Sequence, residues 1–337
     1  MTTDHRRWLR VVALVSFVLL LCAFGRHVNW RDAASAMRGA DARLLVVALV
    51  CNQLSLALKG VRWWVFLRPL GVRSLSLVLR ATFAGASLNN LVVAQGGEGA
   101  RVFFVSRATG VSSAHVAGAL ALERVLDAVS YLTLLAGATF MLDMPDALLR
   151  WRTEASVALV LAVLALTALG IATRRNGIAR ATASTELAGG RVRSYLRRFV
   201  ASVAETGSPA RLVMGMALSL CAWALQVATY HLIALAAHLP IPLAGSVAAL
   251  LAIGVSFLIR ATPGNVGVFQ VIYAITVGSF GIAEGPAVAA ALLIQTIQVV
   301  PTVLIGTFVG HGLLSARHAV AACGAEDDEP SAFRDFS

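Results

Sequence analysis

Lysine is almost missing from this chain of 337 residues: of its 28 Lys+Arg, only Lys59 is lysine. Charge of either sign is scarce as well, at 13% of residues, where soluble domains carry about 25%. With 58% hydrophobic residues, that scarcity excludes an ordinary water-soluble enzyme, and the apolar content excludes a disordered chain. Four scattered cysteines make no disulfide framework. There is no G-x-x-x-x-G-K-[ST] loop, so this chain alone is not expected to hydrolyse ATP. The seven histidines show no H-E-x-x-H and no paired spacing, so neither a metal nor a cofactor is expected. Gly85-Ala86-Ser87-Leu88-Asn89 lacks the closing glycine of a nucleophile elbow and lies in an apolar run. No catalytic residue emerges, and the chain is read as not an enzyme.

What is present is apolar sequence in long runs: 11–25, 44–58, 81–94, 114–142, 155–173, 212–239, 243–259, 266–281 and 287–314. A helix needs roughly 20 apolar residues to cross a bilayer, and several of these runs are too short to cross unaided. The first follows Arg6, Arg7 and Arg10 like a signal peptide but has no A-x-A site, and it is read as an uncleaved span. Basic loops set the sides. The N-terminus, the stretch with Lys59, Arg62, Arg68, Arg73 and Arg80, and the arginine-rich linker 174–211 are expected in the cytoplasm. The loops 143–154 and 238–242 are expected outside, as is 26–43, whose four arginines fit that side less well. The excess of +11 is a topology signal, and no nucleic-acid partner is expected.

Two runs conflict with full crossings. Residues 77–109 are interrupted at Gln95-Gly96-Gly97-Glu98-Gly99, and residues 243–281 at Arg260-Ala261-Thr262-Pro263-Gly264-Asn265. Each reads as a re-entrant hairpin, the first entering from the cytoplasm and the second from outside. The expected fold is an all-α polytopic membrane protein with about six full spans and two re-entrant broken-helix hairpins in an inverted-topology repeat. Residues 1–154 form the first membrane repeat and 155–318 the second, with 174–211 as a basic cytoplasmic linker and 319–337 as a disordered acidic tail. Gly110 to Leu120 can be laid on Gly281 to Ala291, which places Glu123, Arg124 and Asp127 at the positions of Ile294, Gln295 and Gln298.

Ionisable groups at hydrocarbon depth are expensive and face a cavity or one another. Glu98, Arg101, Glu123, Arg124, Asp127 and Arg260 are in that position. One reading makes them a structural ion network. The other makes them a head-group site, with Arg101 or Arg124 on its anion and Glu98 or Asp127 on its cation or a proton, lined by Asn89, Asn90, Gln295 and Gln298. The hairpin breaks, Gly96, Gly97 and Gly99 in one half and Pro263, Gly264 and Gly267 in the other, leave backbone groups free to point into the membrane interior. Arg62-Trp63-Trp64 reads as an interfacial anchor with its rings at head-group level.

Lys59-Gly60-Val61-Arg62-Trp63-Trp64, Gly97-Glu98 with Arg101, Gly110-Val111-Ser112, Glu123-Arg124-x-x-Asp127 and Thr262-Pro263-Gly264-x-x-Gly267-Val268-Phe269 together resemble the flippase-like transmembrane family. That family includes the membrane half of lysylphosphatidylglycerol synthases. The resemblance covers nearly the whole chain and implies a flippase-like half standing without an aminoacyl-transferase domain. It further implies a lipid transporter of the bacterial inner membrane, multi-pass with both termini cytoplasmic. The expected partner is a membrane phospholipid or lipid-linked substrate. A membrane-embedded enzyme of lipid or polyisoprenyl head-group modification, or a partner of a lipid-synthesis enzyme, is the alternative. Two departures bear on the substrate: Val93-Ala94-Gln95 and Gln295 stand where the family often carries basic residues.

Overall fold

The computed structural model describes residues 30–91, 96–144, 146–150, 152–174, 208–256 and 265–326. The expected first span 11–25, most of the linker 174–211, and Arg260, Pro263 and Gly264 of the second break lie outside the described residues. Among the described residues every regular element is helical. They run α1 (Trp30–Arg38), α2 (Ala42–Leu67), α3 (Leu75–Leu91), α4 (Gly96–Thr109), α5 (Ser113–Met141), α6 (Asp146–Leu149) and α7 (Arg152–Arg174), then α8 (Pro209–Ala236), α9 (Leu243–Ser256), α10 (Val268–Gly278) and α11 (Glu284–Glu326). In hydrocarbon a helix satisfies its own backbone, which is why apolar sequence of this length folds this way.

Three stretches are long and apolar enough to cross a membrane: Ala42–Leu70, Pro209–Ala236 and Glu284–Gly310. α5 has the length, at 29 residues, but carries Glu123, Arg124 and Asp127. α2 does not stop at the expected 58. It continues to Leu67 and closes only at a 3-10 turn, Arg68–Leu70, after which Gly71 takes a φ of 97°. α11 likewise runs through the first part of the stretch read as an acidic tail, as far as Glu326, and 327–337 lie outside the described residues.

The polarity of the bundle is that of a membrane protein. On α2, Val46, Val50 and Leu54 are exposed while Asn52, Ser55 and Arg62 are buried. Apolar groups face outward and polar groups inward, the reverse of a water-soluble helix.

α2 and α8 pack antiparallel along most of their length: Asp41 N donates to Ala236 O at 2.9 Å, and Ser55 Oγ to Ala222 O at 2.9 Å. α3 with α4, and α9 with α10, are paired short helices. At 1.5 Å per residue α4 and α9, with 14 residues each, are about 21 Å long, short of the roughly 30 Å hydrocarbon core. Two apolar clusters form around these pairs. Trp63, Phe66, Leu67, Val78, Ala81, Val105, Leu122 and Leu126 surround the first pair. Tyr230, Ile233, Ile253, Phe269, Tyr273 and Ile294 surround the second.

Each half of the chain therefore shows a long helix, a helical pair and a second long helix. Gly110, three residues ahead of α5, and Gly281, three ahead of α11, both have positive φ, at 73° and 83°.

Candidate functional site

Among the described residues, six charged side chains of α2, α4 and α5 form one network. Glu123 and Asp127 are one turn apart on α5, and α2 and α4 bring arginines to them. Arg101 of α4 grips Glu123 with both amino groups, Nη1 to Oε1 at 3.3 Å and Nη2 to Oε2 at 2.8 Å. Arg62 of α2 donates from Nη1 to Asp127 Oδ1 at 2.8 Å and to the Ser219 hydroxyl, while its Nη2 is 3.2 Å from Glu123 Oε1. Arg124 completes the ring, with Nε 3.1 Å from Glu98 Oε1, Nη1 3.5 Å from Asp127 Oδ2 and Nη2 3.8 Å from Glu123 Oε1. The Arg101 guanidinium also lies 4.2 Å from the centroid of the Trp63 ring, a cation–π contact. Three guanidiniums meet three carboxylates, so the group is neutral as a whole.

Five expected site residues, Glu98, Arg101, Glu123, Arg124 and Asp127, are thus brought together, and a sixth, Arg62, joins them. The interfacial reading of Arg62 and Trp63 is corrected: both are fully buried. The reason is the extra length of α2, which carries them beneath α5 and α8, and the ion pairs offset the desolvation of the guanidinium. Trp64 alone of the three stays partly exposed, its Nε1 donating to Arg73 O and the Arg68 guanidinium 5.1 Å from its ring centroid.

A cavity of about 260 Å³ lies beside this network, where both helical pairs meet α2, α8 and α11. Its polar lining comes in helical stripes: Asn52, Ser55 and Lys59 on α2; Trp223, Gln226 and Tyr230 on α8; Gln295, Gln298 and Thr302 on α11; and Asn90 from α3. The i, i+3, i+7 spacing repeated on three helices puts each set on one face. Asn90, Gln295 and Gln298, read from the sequence as the lining of a head-group site, stand on the wall of this cavity. The five charged residues of the sequence-based site do not line this cavity; they pair with one another and with Arg62.

Asn89 has a different task. Its Oδ1 accepts from Gly97 N at 2.9 Å, clasping α3 to the start of α4. At the start of α10, Gly267 N donates to Gln270 Oε1 at 2.6 Å, and Gln270 Nε2 donates to Gln295 Oε1, which ties α10 to α11. Of the break glycines, Gly97 is required by space, because a Cβ there would sit 2.0 Å from Gly85 O. Gly267 is required by its φ of 89°. Gly96 and Gly99 meet no such constraint.

The lining residues the sequence reading missed are Lys59 and its companions on α2 and α8: Asn52, Ser55, Trp223, Gln226 and Tyr230. Lys59 was placed in a cytoplasmic loop, whereas its Nζ lies 5.7 Å from the centroid of the Trp223 ring inside the bundle. The available signal was the Asn52-x-x-Ser55-x-x-x-Lys59 spacing in a run with no helix breaker strong enough to end it before Pro69. Among the described residues no group of three or more His, Cys, Asp and Glu side chains is placed to hold a metal.

Outward apolar faces, an inward cavity with polar stripes and a buried neutral charge network define a helical membrane-integral protein. The family model described as "Lysylphosphatidylglycerol synthase TM region" matches residues 8–306, and the chain belongs to that family. No curated protein matches the chain. The family relates the chain to the membrane region of enzymes that modify phospholipids.

Proposed function

We propose that the chain is a flippase-like transporter that takes a lipid head group into the cavity between the two helical pairs and passes it between leaflets of the bacterial inner membrane. The observation that carries this reading is the polar cavity itself. A volume of about 260 Å³ at the meeting point of both pairs, with amides, hydroxyls and Lys59 set among apolar residues such as Leu250, Ile253 and Phe269, calls for an occupant, because buried polar surface in an apolar bundle is costly unless something uses it.

The topology supports the same reading. α3–α4 and α9–α10 act as re-entrant hairpins from opposite sides, and the halves form an inverted repeat about the cavity. The antiparallel packing of α2 on α8 and the matched glycines 110 and 281 support that arrangement. The chain then crosses about six times with both termini in the cytoplasm. In this reading it makes and breaks no covalent bond.

The test is lipid scrambling in proteoliposomes over a panel of fluorescent head groups, comparing wild type with Ala86→Phe/Gln298→Leu, which fills the cavity. Wild type should move at least one lipid class, and the filled variant, inserted equally well, should be at least about tenfold slower, a change of 1.4 kcal/mol in barrier. Inertness across the panel, or full activity of the filled variant, overturns the proposal. Turnover of a lipid in detergent, where there are no leaflets, would replace it with an enzyme.

A further inference from the structure

The head-group cavity has a neighbour. A second space, a groove of about 310 Å³, runs between α5, α8 and α9 and is almost wholly apolar: Leu134, Met141, Leu220, Ala224 and Val247 form its walls. Trp223 lines both spaces. One face of the partition is therefore polar and holds a cation, and the other is greasy.

The charge balance of the polar side has a definite sign. The six charges of the network cancel, and each carboxylate among them is engaged by arginine. Lys59, on the cavity wall, is outside that network. Among the described residues no carboxylate lies within ion-pair distance of its ammonium, and its contact is the Trp223 ring. The Trp223 indole N–H is itself a buried donor without an acceptor. Gln226 Nε2 donates to Asn52 Oδ1 at 3.4 Å, which leaves the Asn52 N–H groups as further donors on the wall. An unspent cation with surplus N–H donors suits an anion.

We infer that the structure holds a two-part site for an anionic lipid: its phosphate at Lys59 in the polar cavity, and one acyl chain in the apolar groove on the other side of Trp223. The inference rests on the transport reading for what the site is for, but binding can be measured without transport. The volume of the cavity suits a phosphate-bearing head group and not its tails, and the groove next door takes the tail that such a head group brings with it.

The experiment uses the full chain in detergent micelles, with native mass spectrometry or calorimetry as the readout. The probes are dioctanoyl phosphatidylglycerol, dioctanoyl phosphatidylcholine, glycerol phosphate and inorganic phosphate. Wild type should bind the anionic lipid at least about tenfold tighter than the zwitterionic one, the scale of one hydrogen bond to a charged group. Lys59→Gln should weaken phosphatidylglycerol binding far more than phosphatidylcholine binding and so remove that preference, and Lys59→Arg should retain it. Gly137→Leu fills the groove at a position where an added Cβ meets nothing within 4 Å. It should weaken both lipids and leave glycerol phosphate unaffected.

Equal affinity of wild type for the two lipids, or a preference that survives Lys59→Gln, overturns the assignment of an anionic lipid to Lys59. Lipid binding untouched by Gly137→Leu overturns the acyl assignment. Inorganic phosphate bound as tightly as the lipid would make this a free-phosphate site and likewise overturn the proposal. Scrambling without a charge preference would sink this inference and leave the transport reading standing. A charge preference in micelles without scrambling would do the opposite.

Discussion

Glu123 is the residue on which the charge network turns, since it takes both amino groups of Arg101 and one of Arg62 while almost wholly buried. Removing one partner of a buried pair leaves a desolvated charge behind, at a cost of about 3–5 kcal/mol. Glu123→Gln should therefore lower the thermal unfolding midpoint in detergent sharply. Adding Arg101→Met should recover part of the loss, because the remaining Arg62, Arg124, Glu98 and Asp127 are again balanced in charge. Unfolding of the single and double variants checks this, and simple addition of the two losses would sink it. Five of these six charges were legible in the sequence because a charge inside an apolar run is conspicuous. Arg62 was not, because it follows the apparent end of its run, and what buries it is α8 packing over it through Ser219.

At the scale of elements, the α3–α4 pair depends on backbone contact. Gly85 and Gly97 meet so closely that a Cβ on Gly97 would lie 2.0 Å from Gly85 O and 2.6 Å from the Asn89 amide, and backbone cannot give way as a side chain can. Gly97→Ala should cost about 1–3 kcal/mol by overpacking and pry α4 from α3. Gly99→Ala, two positions on, meets nothing within 4 Å and should be neutral or stabilising by up to about 1 kcal/mol from helix propensity. Thermal unfolding of the two variants side by side checks the contrast, and equal effects would refute the contact argument. The break itself was visible as a glycine-rich stretch, but the sequence could not rank its glycines, because the ranking depends on what stands opposite each. The Asn89 clasp was hidden for the same reason.

For the whole molecule, the α1–α2 turn and the α8–α9 turn lie together, with Asp41 N on Ala236 O and the His238 ring nitrogen 3.2 Å from Gly39 O. Under the proposed topology both are outside, and the turn at Gly71 is in the cytoplasm. Single cysteines at Gly39, His238 and Gly71, in a background lacking the four native cysteines, should divide accordingly. An impermeant maleimide added to intact cells should label the first two and spare the third until the membrane is opened. Labelling of Gly39→Cys and His238→Cys from different sides would contradict the packing of α2 on α8, and labelling of Gly71→Cys alone from outside would invert the topology.

The sequence by itself determined that this protein is helical and lives in a membrane, that two of its apolar runs are broken, and that Glu98, Arg101, Glu123, Arg124 and Asp127 belong to one polar region. These follow from the cost of charge and of free backbone groups in hydrocarbon, which act on each residue wherever its neighbours are. Only the tertiary structure decided that the five charges and Arg62 neutralise one another, and that Lys59 with the amides of α2, α8 and α11 lines the open space beside them. Which charge is spent and which is left over depends on distances between helices far apart in the chain, and a one-dimensional pattern carries no such distances.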